Sequence, residues 1–363
     1  MAANKNQHYV PQCYLKRFSN TSSLASICLY NIDGMKLIPQ APIKKQCSQD
    51  YFYGEDLKLE KALQPFEGKY SNLVKQIASQ GYFLNEKDKS FLLDFWLLQH
   101  LRTEAASKRL VEMSEGIVEV AGIEDYKFQI KDAVQQSMKS FFDTRHHIND
   151  LKLCLLRNKT QKVFYTSDDP AILTNHWYFH DARAKFQSFG LASAGVLLLL
   201  PLTPYIMMIA YDPNVYNMAE SRGWVNIKNK SDIDAFNLFQ LINCHSNIYL
   251  NNSNDEENLY KLYQKIKAIR PTVKHKFNYA VFDTSDGNYT RYKAIPKSEV
   301  LERQEDTLIH YQPIQVSPPE WPSQILWRKK GFVYTNDTGV GYVRSPYSTP
   351  SSIKPFYKIL SGM

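Results

Sequence analysis

Residues 192–211 read Ala-Ser-Ala-Gly-Val-Leu-Leu-Leu-Leu-Pro-Leu-Thr-Pro-Tyr-Ile-Met-Met-Ile-Ala-Tyr, and their reading decides the fold class. Ala192–Leu202 is the most apolar stretch of the chain, yet far short of the roughly 20 residues a membrane helix needs. Val196–Leu200 and Tyr205–Tyr211 are short runs interrupted by Pro201 and Pro204 and closed by Asp212, which is strand punctuation. Upstream, Val163–Tyr165 and Ala171–Thr174 read the same way. Downstream, a helix is expected from Ser231 or Asp232 to about His245, a strand at Asn247–Leu250 and an amphipathic helix over Asp255–Ile269.

Before residue 160 the period is helical. Leu57, Leu63, Phe66, Tyr70, Leu73, Val74 and Ile77 recur at three- and four-residue spacing, with Pro65 expected to break or kink the run. Asn85 is placed to cap the next helix, with Asp88 three residues on, and Phe91, Leu92, Phe95, Leu98 and Leu101 form its apolar stripe. A third helix is expected over Tyr126–Phe142, and Ile148–Leu156 reads as its continuation after a break. Residues 1–50 read as short extended pieces, with a hairpin turning at Ile32-Asp33-Gly34. The expectation is an α+β protein. In it a main domain, 1–270, packs a helical half (55–157) on a small mixed or antiparallel sheet with its own helices (160–270). A basic, aromatic, β-rich unit, 271–363, is appended.

With 363 residues, 44% hydrophobic and 22% charged, the chain has a globular composition. Five widely spaced cysteines without a CxxC pair argue against a disulfide scaffold or zinc ribbon and for free thiols in a reducing cytoplasm. No secretory signal opens the sequence. The formal charge of +8 is concentrated at the ends: residues 1–50 hold six basic against two acidic groups, and 261–363 hold sixteen against eight. Basic ends suit a polyanionic partner such as nucleic acid, or a merely solubilising surface.

The sharpest polar motif is His8-Tyr9-Val10-Pro11-Gln12-Cys13-Tyr14-Leu15-Lys16-Arg17-Phe18. This HYVPxxYLxxF run resembles the opening motif of a bacterial family catalogued as domain of unknown function 4238. Further segments are similar to that family in order: an acidic helix with Glu60 and Glu67, Gln99–Thr103 ending in Arg-Thr, Thr166-Ser167-Asp168-Asp169-Pro170, and Pro201-Leu202-Thr203-Pro204. Cys13 stands where an aromatic is common, and Glu104 where proline often follows Arg-Thr. The resemblance spans about residues 8–250 and implies which positions matter, with no settled activity attached.

Read physically, His8 could be a general base, a metal ligand or a phosphate donor, or could only tie down the N-terminus through a carbonyl. Glu60 and Glu67, seven apart, lie about 10 Å apart along one helix face. They could reach a common cation or form a solvated acidic face. Gln99 and Arg102 share an inner surface, where Arg102 could hold a phosphate or pair with an acid. Asp168, on a turn at a strand end, could bind metal or simply cap the loop. Thr338-Gly339-Val340-Gly341 reads as a hairpin turn, and His176, His180 and Asp181 as an aromatic loop. Cys244-His245 lacks a nucleophile signature.

The functional expectation is a metal-assisted hydrolase of nucleic acid or nucleotides, possible in a bacterial conflict role. His8, Glu60, Glu67, Arg102 and Asp168 would be catalytic, and Mg²⁺ or Mn²⁺ would sit on Glu60, Glu67 and Asp168. Tyr9, Gln99, Ser167, Trp327, Lys329, Lys330 and Arg344 would hold the substrate. The alternative is a non-catalytic module binding nucleic acid or protein, with the polar cluster as a structural network. The two differ in whether the five residues converge on one hollow.

Overall fold

The computed structural model describes residues 5–121, 127–184, 188–287, 290–302, 307–335, 341–348 and 356–357. The chain opens on β1 (Asn6–His8) and one helical turn, α1 (Gln12–Leu15), followed by β2 (Ser26–Asn31), β3 (Lys36–Pro42) and β4 (Ser48–Asp50). The helical segment comprises α2 (Lys58–Ile77), α3 (Glu86–Arg102), α4 (Glu104–Ala121) and α5 (Ile130–Thr144). Next come β5 (Lys152–Asn158), β6 (Thr166–Ser167), β7 (Ile172–Thr174), α6 (His176–His180), β8 (Leu197–Thr203) and β9 (Ile206–Tyr211). They lead to β10 (Tyr216–Asn217), β11 (Trp224–Ile227), α7 (Lys230–Asn243), β12 (Asn247–Leu250) and α8 (Glu256–Ile266). The last part holds β13 (His275–Ser285), β14 (Thr290–Ile295), α9 (Lys297–Glu302), β15 (Thr307–Pro313), β16 (Leu326–Trp327), β17 (Phe332–Thr335), β18 (Tyr342–Val343) and β19 (Phe356–Tyr357).

The fold is α+β, organised on a five-stranded mixed sheet in the order β11-β5-β9-β8-β7, antiparallel except for the β11–β5 pair. Side chains alternate across a strand, so both faces of this sheet are apolar. Leu153, Leu155, Leu198, Leu200 and Met208 join the core under α2, α3 and α5. Cys154, Leu156, Leu197, Leu199 and Met207 join a second core, with α7 on the other face. A four-stranded sheet, β3-β2-β12-β6, packs against α7 and α8. The hairpin expected at Ile32-Asp33-Gly34 is formed by β2 and β3. Among the described residues, no helix is long and apolar enough to cross a membrane.

Several elements differ from expectation. Ile148–Leu156 does not extend the bundle: it feeds β5, whose unbroken apolar run hides the two-residue period because both faces are buried. The helix at Pro65 does not break; α2 runs through it, because Pro65 lies on the exposed face, where the carbonyl it leaves unpaired meets water. The sequence reading placed residues 104–121 in the helical half without marking a separate helix there, although α4 forms an entire wall of the cavity described below. Val163–Tyr165 precedes a strand of only two residues, β6. The proposed turn around Thr338 and Gly339 lies outside the described residues, but β17 and β18, on either side of it, pair antiparallel.

After residue 271 the chain does two things. First, β14-β13-β15 form a three-stranded antiparallel sheet against α4, where the Phe277 ring lies so close to Gly116 that any Cβ there would collide with it. Then an arm from about residue 314 returns to the main body. There β16 pairs with β10, and Ser323 and Gln324 hydrogen-bond the Asp232 carboxylate. The His176 imidazole stacks on Trp321 at 3.9 Å and on Trp327 at 4.6 Å between ring centroids.

Candidate functional site

The N-terminal motif is threaded through the middle of the molecule. Val10, Tyr14, Leu15 and Phe18 are fully buried. The Tyr14 hydroxyl bonds Thr166 Oγ1 (2.6 Å) and donates to the Pro201 carbonyl (2.8 Å). One phenol thus ties together three of the segments that resemble the family. A fourth joins through α3: Gln99 donates to the Tyr9 carbonyl (2.9 Å), and Arg102 to the carbonyls of Tyr9 (3.0 Å) and His8 (2.8 Å). Arg102 also pairs with Glu67 at 2.7 Å. Burial disfavours its charge, but Tyr53 and Glu67 outweigh that and raise its pKa above the usual value.

His8, Glu60, Glu67 and Arg102 therefore share one neighbourhood. Burial pushes the His8 pKa down, with Glu67 opposing and Arg102 assisting. Burial and the Glu67 charge push the Glu60 carboxyl up. His8 Nε2, Arg102 Nη1 and Gln99 Oε1 are buried and lack a hydrogen-bond partner. Tyr9, expected to touch substrate, donates its hydroxyl to Glu104 (2.8 Å).

Asp168 does not join this group. Its carboxylate accepts the backbone N–H groups of His245 (2.8 Å), Ser246 (2.9 Å) and Asn247 (2.9 Å), clamping the turn before β12. Burial raises its pKa against these three donors. With its oxygens so occupied it is a loop clamp, and Glu60, Glu67 and Asp168 are not brought together. Among the described residues no group of three or more His, Cys, Asp or Glu is arranged to hold a metal ion. Ser167 donates to Gln240 (2.7 Å).

In the C-terminal arm Arg344 is buried, with an ion pair to Asp150 at 2.7 Å, so it fastens the arm and is not presented to a substrate. Trp327 uses its faces on His176 and Tyr216. Lys329 and Lys330 are exposed. His176 and His180 do lie on a helix, α6. Burial among the tryptophans holds the His176 pKa at about 3, a packed ring and not a ligand. Burial likewise pushes the Cys244 thiol up to about 12, leaving it inert.

A different place has the form of a site. A cavity of about 680 Å³ lies between α4, α5, β7, α7 and the segments entering β13 and leaving β15. Its walls are mainly apolar, and Arg109, Lys274, His275 and His100 are the charged or imidazole groups on them. Arg109 pairs with Asp169 at 2.7 Å, and Asp169 also accepts from Thr103 (2.9 Å). Burial would raise the Asp169 pKa, but Arg109 and Thr103 hold it below the usual carboxylate value.

His275 Nδ1 lies 3.0 Å from Glu112 Oε2. Its ring stacks on Tyr311, and burial lowers its pKa despite Glu112. The Lys274 ammonium donates to the Ile242 carbonyl (3.1 Å). Among the described residues it meets no carboxylate within ion-pair distance, and burial lowers its pKa. His100 completes the pole, kept neutral by burial and Arg109. Arg270 fixes the approach by donating to the carbonyls of Leu241, Cys244 and His245, which pins the turn into Lys274 on the end of α7.

The sequence reading missed Arg109, Glu112, Lys274 and His275. A signal existed for half of them: Lys274-His275-Lys276 is a basic run with an imidazole in it. Arg109 and Glu112 stand three apart, on one face of a helix that was not marked separately.

Residues 6–254 match a family described as Protein of unknown function (DUF4238). No curated protein matches the chain, and no solved structure does.

Proposed function

The chain belongs to that family, and we propose that this member is a hydrolase of small phosphorylated substrates, with the cavity behind α4 as its working site. The observation that carries the reading is the convergence of an oriented imidazole and an uncompensated ammonium on one pole of a ligand-sized hollow. A cavity of this volume suits a single small molecule, nucleotides included, and not a nucleic-acid chain.

In this reading Glu112 fixes the tautomer and orientation of His275 through Nδ1, leaving Nε2 as the proton acceptor. Because burial lowers its pKa, the ring is neutral at pH 7 and competent as a base. It takes a proton from water as the water oxygen bonds to phosphorus. The ester P–O bond breaks, and the imidazolium returns the proton to the departing oxygen. Lys274 offsets charge on the phosphoryl oxygens. The buried N-terminal cluster around Arg102 holds the scaffold.

The test is phosphate release from single nucleotides and from p-nitrophenyl phosphate, beside DNA and RNA, with Mg²⁺ or Mn²⁺ and with chelator. Loss of the base costs on the order of 100-fold or more, so His275→Gln should lower turnover by that factor with its melting temperature unchanged. Turnover of no substrate, or equal turnover by His275→Gln, overturns the reading. Binding without turnover is the second reading; it is favoured by Arg109 being already engaged by Asp169, which leaves less charge for a transition state.

A further inference from the structure

We infer that the cavity takes a single-headed amphiphile: an aliphatic or aryl body carrying one phosphate or carboxylate, its head on Lys274 and its body along the apolar walls. This deepens the reading of the cavity as the working site and rests on it. The apolar walls are built by Leu110 and Met113 of α4, Leu173 of β7, Phe189, Phe239 of α7 and Ile314. Such surfaces gain from covering hydrocarbon and offer little to a sugar or a polyphosphate.

The charges at the pole point the same way. Arg109 is neutralised by Asp169. His275 is held neutral by burial, and its partner Glu112 keeps about half its side chain in water. Lys274 alone remains, a half-buried ammonium with a carbonyl for partner. A buried charge without a counter-charge is costly, so a ligand that brings one negative group into this place is favoured over a neutral or cationic one. A nucleoside triphosphate would bring several negative charges to a single uncompensated cation.

The experiment is calorimetric titration of the full chain with decylphosphonate, decanoate, decanol, decylamine, AMP and ATP. The phosphonate has no ester bond, so binding is read independently of turnover. The two anionic amphiphiles should bind about ten-fold or more tighter than decanol, as expected for one partly buried ion pair. Lys274→Met should erase that difference and leave decanol unchanged. Met113→Trp, which puts bulk into the apolar wall, should weaken all three and serves if Lys274→Met fails to fold. Equal affinity for decanol and the anions, or tighter binding of decylamine, overturns the inference. AMP or ATP binding above decylphosphonate overturns it while leaving the hydrolase reading standing, as does absence of amphiphile binding alongside turnover. Absence of both binding and turnover ends both.

Discussion

The cluster beneath the N-terminal motif and the pole of the cavity are built from the same residue types, an arginine, a histidine and glutamate or aspartate, yet they do opposite things with them. Under the motif, Arg102 meets two carbonyls and a carboxylate at 2.7–3.0 Å, and Tyr9 and Gln99 also donate to protein partners, while His8 Nε2, Gln99 Oε1 and Arg102 Nη1 stay without one. At the cavity, Lys274 has only a carbonyl, and the His275 imidazole lines an open volume. Buried polar groups with several protein partners hold a fold together; a cation on a cavity wall with only a carbonyl for partner is where the proposed ligand would add a counter-charge. In the proposed reading the motif marks the scaffold and the cavity is the working site.

That contrast breaks most directly at its strongest point. Arg102→Ala should lower stability by about 3–5 kcal/mol, because it removes a buried cation from two carbonyls and Glu67. Lys274→Met should cost almost nothing, or stabilise, since it relieves an unpaired charge. Urea unfolding of both variants checks this, and equal losses would erase the distinction between the two regions. Asp168→Asn comes next, at about 1–3 kcal/mol, because an amide presents a donor to three backbone N–H groups that now share a carboxylate. It should leave phosphate release per folded molecule unchanged; a selective loss of turnover would return Asp168 to the chemistry.

The pH dependence sharpens the comparison. His8, His100, His176 and His275 all have pKa values lowered in the fold, by burial first. The unfolded chain gains these protons near pH 6.5, and the folded chain gains them only below. Their contribution to stability is thus complete above pH 6.5 and is lost as pH falls through the folded values. Unfolding midpoints measured from pH 7.5 to 5 should decline steadily, and a flat profile contradicts the burial of these rings. Turnover should hold down to pH 6.5 and fall only below it, as folded His275 becomes protonated, and His8→Ala should retain that fall. The smallest effect is expected at the exposed Lys329 and Lys330, whose joint replacement by alanine should change stability by less than about 0.5 kcal/mol and leave phosphate release intact.

Much of the architecture was legible because local chemistry enforces it. Asn85 accepts from the Asp88 N–H and starts α3 where expected. The strand runs at Val196–Leu200 and Tyr205–Tyr211 became β8 and β9, because proline and β-branched or long apolar side chains leave no helical stripe. Where reading failed, both faces of an element were occupied or its apolar positions were diluted. Leu153 to Leu156 has no visible alternation because each face meets a core. In α4, serines, alanines and a glycine dilute the apolar stripe, and Phe277 of β13 packs on Gly116. For the site, the expected convergence of His8, Glu60, Glu67, Arg102 and Asp168 fails at Asp168. No local pattern shows that Arg102 would commit Nε and Nη2 to the carbonyls of Tyr9 and His8 and to Glu67.

By itself the sequence determined the α+β class, most element types and the family resemblance, since these depend on residue periodicity, caps and a contiguous motif. Only the tertiary structure decided that Glu112 and His275, 163 positions apart, would meet, with His275 on the wall of a cavity. It likewise decided that Arg344 would be a fastening and Asp168 a clamp. A side chain's partners are set by which long-range packing buries the most apolar surface. That outcome belongs to the whole chain, and no local pattern encodes it.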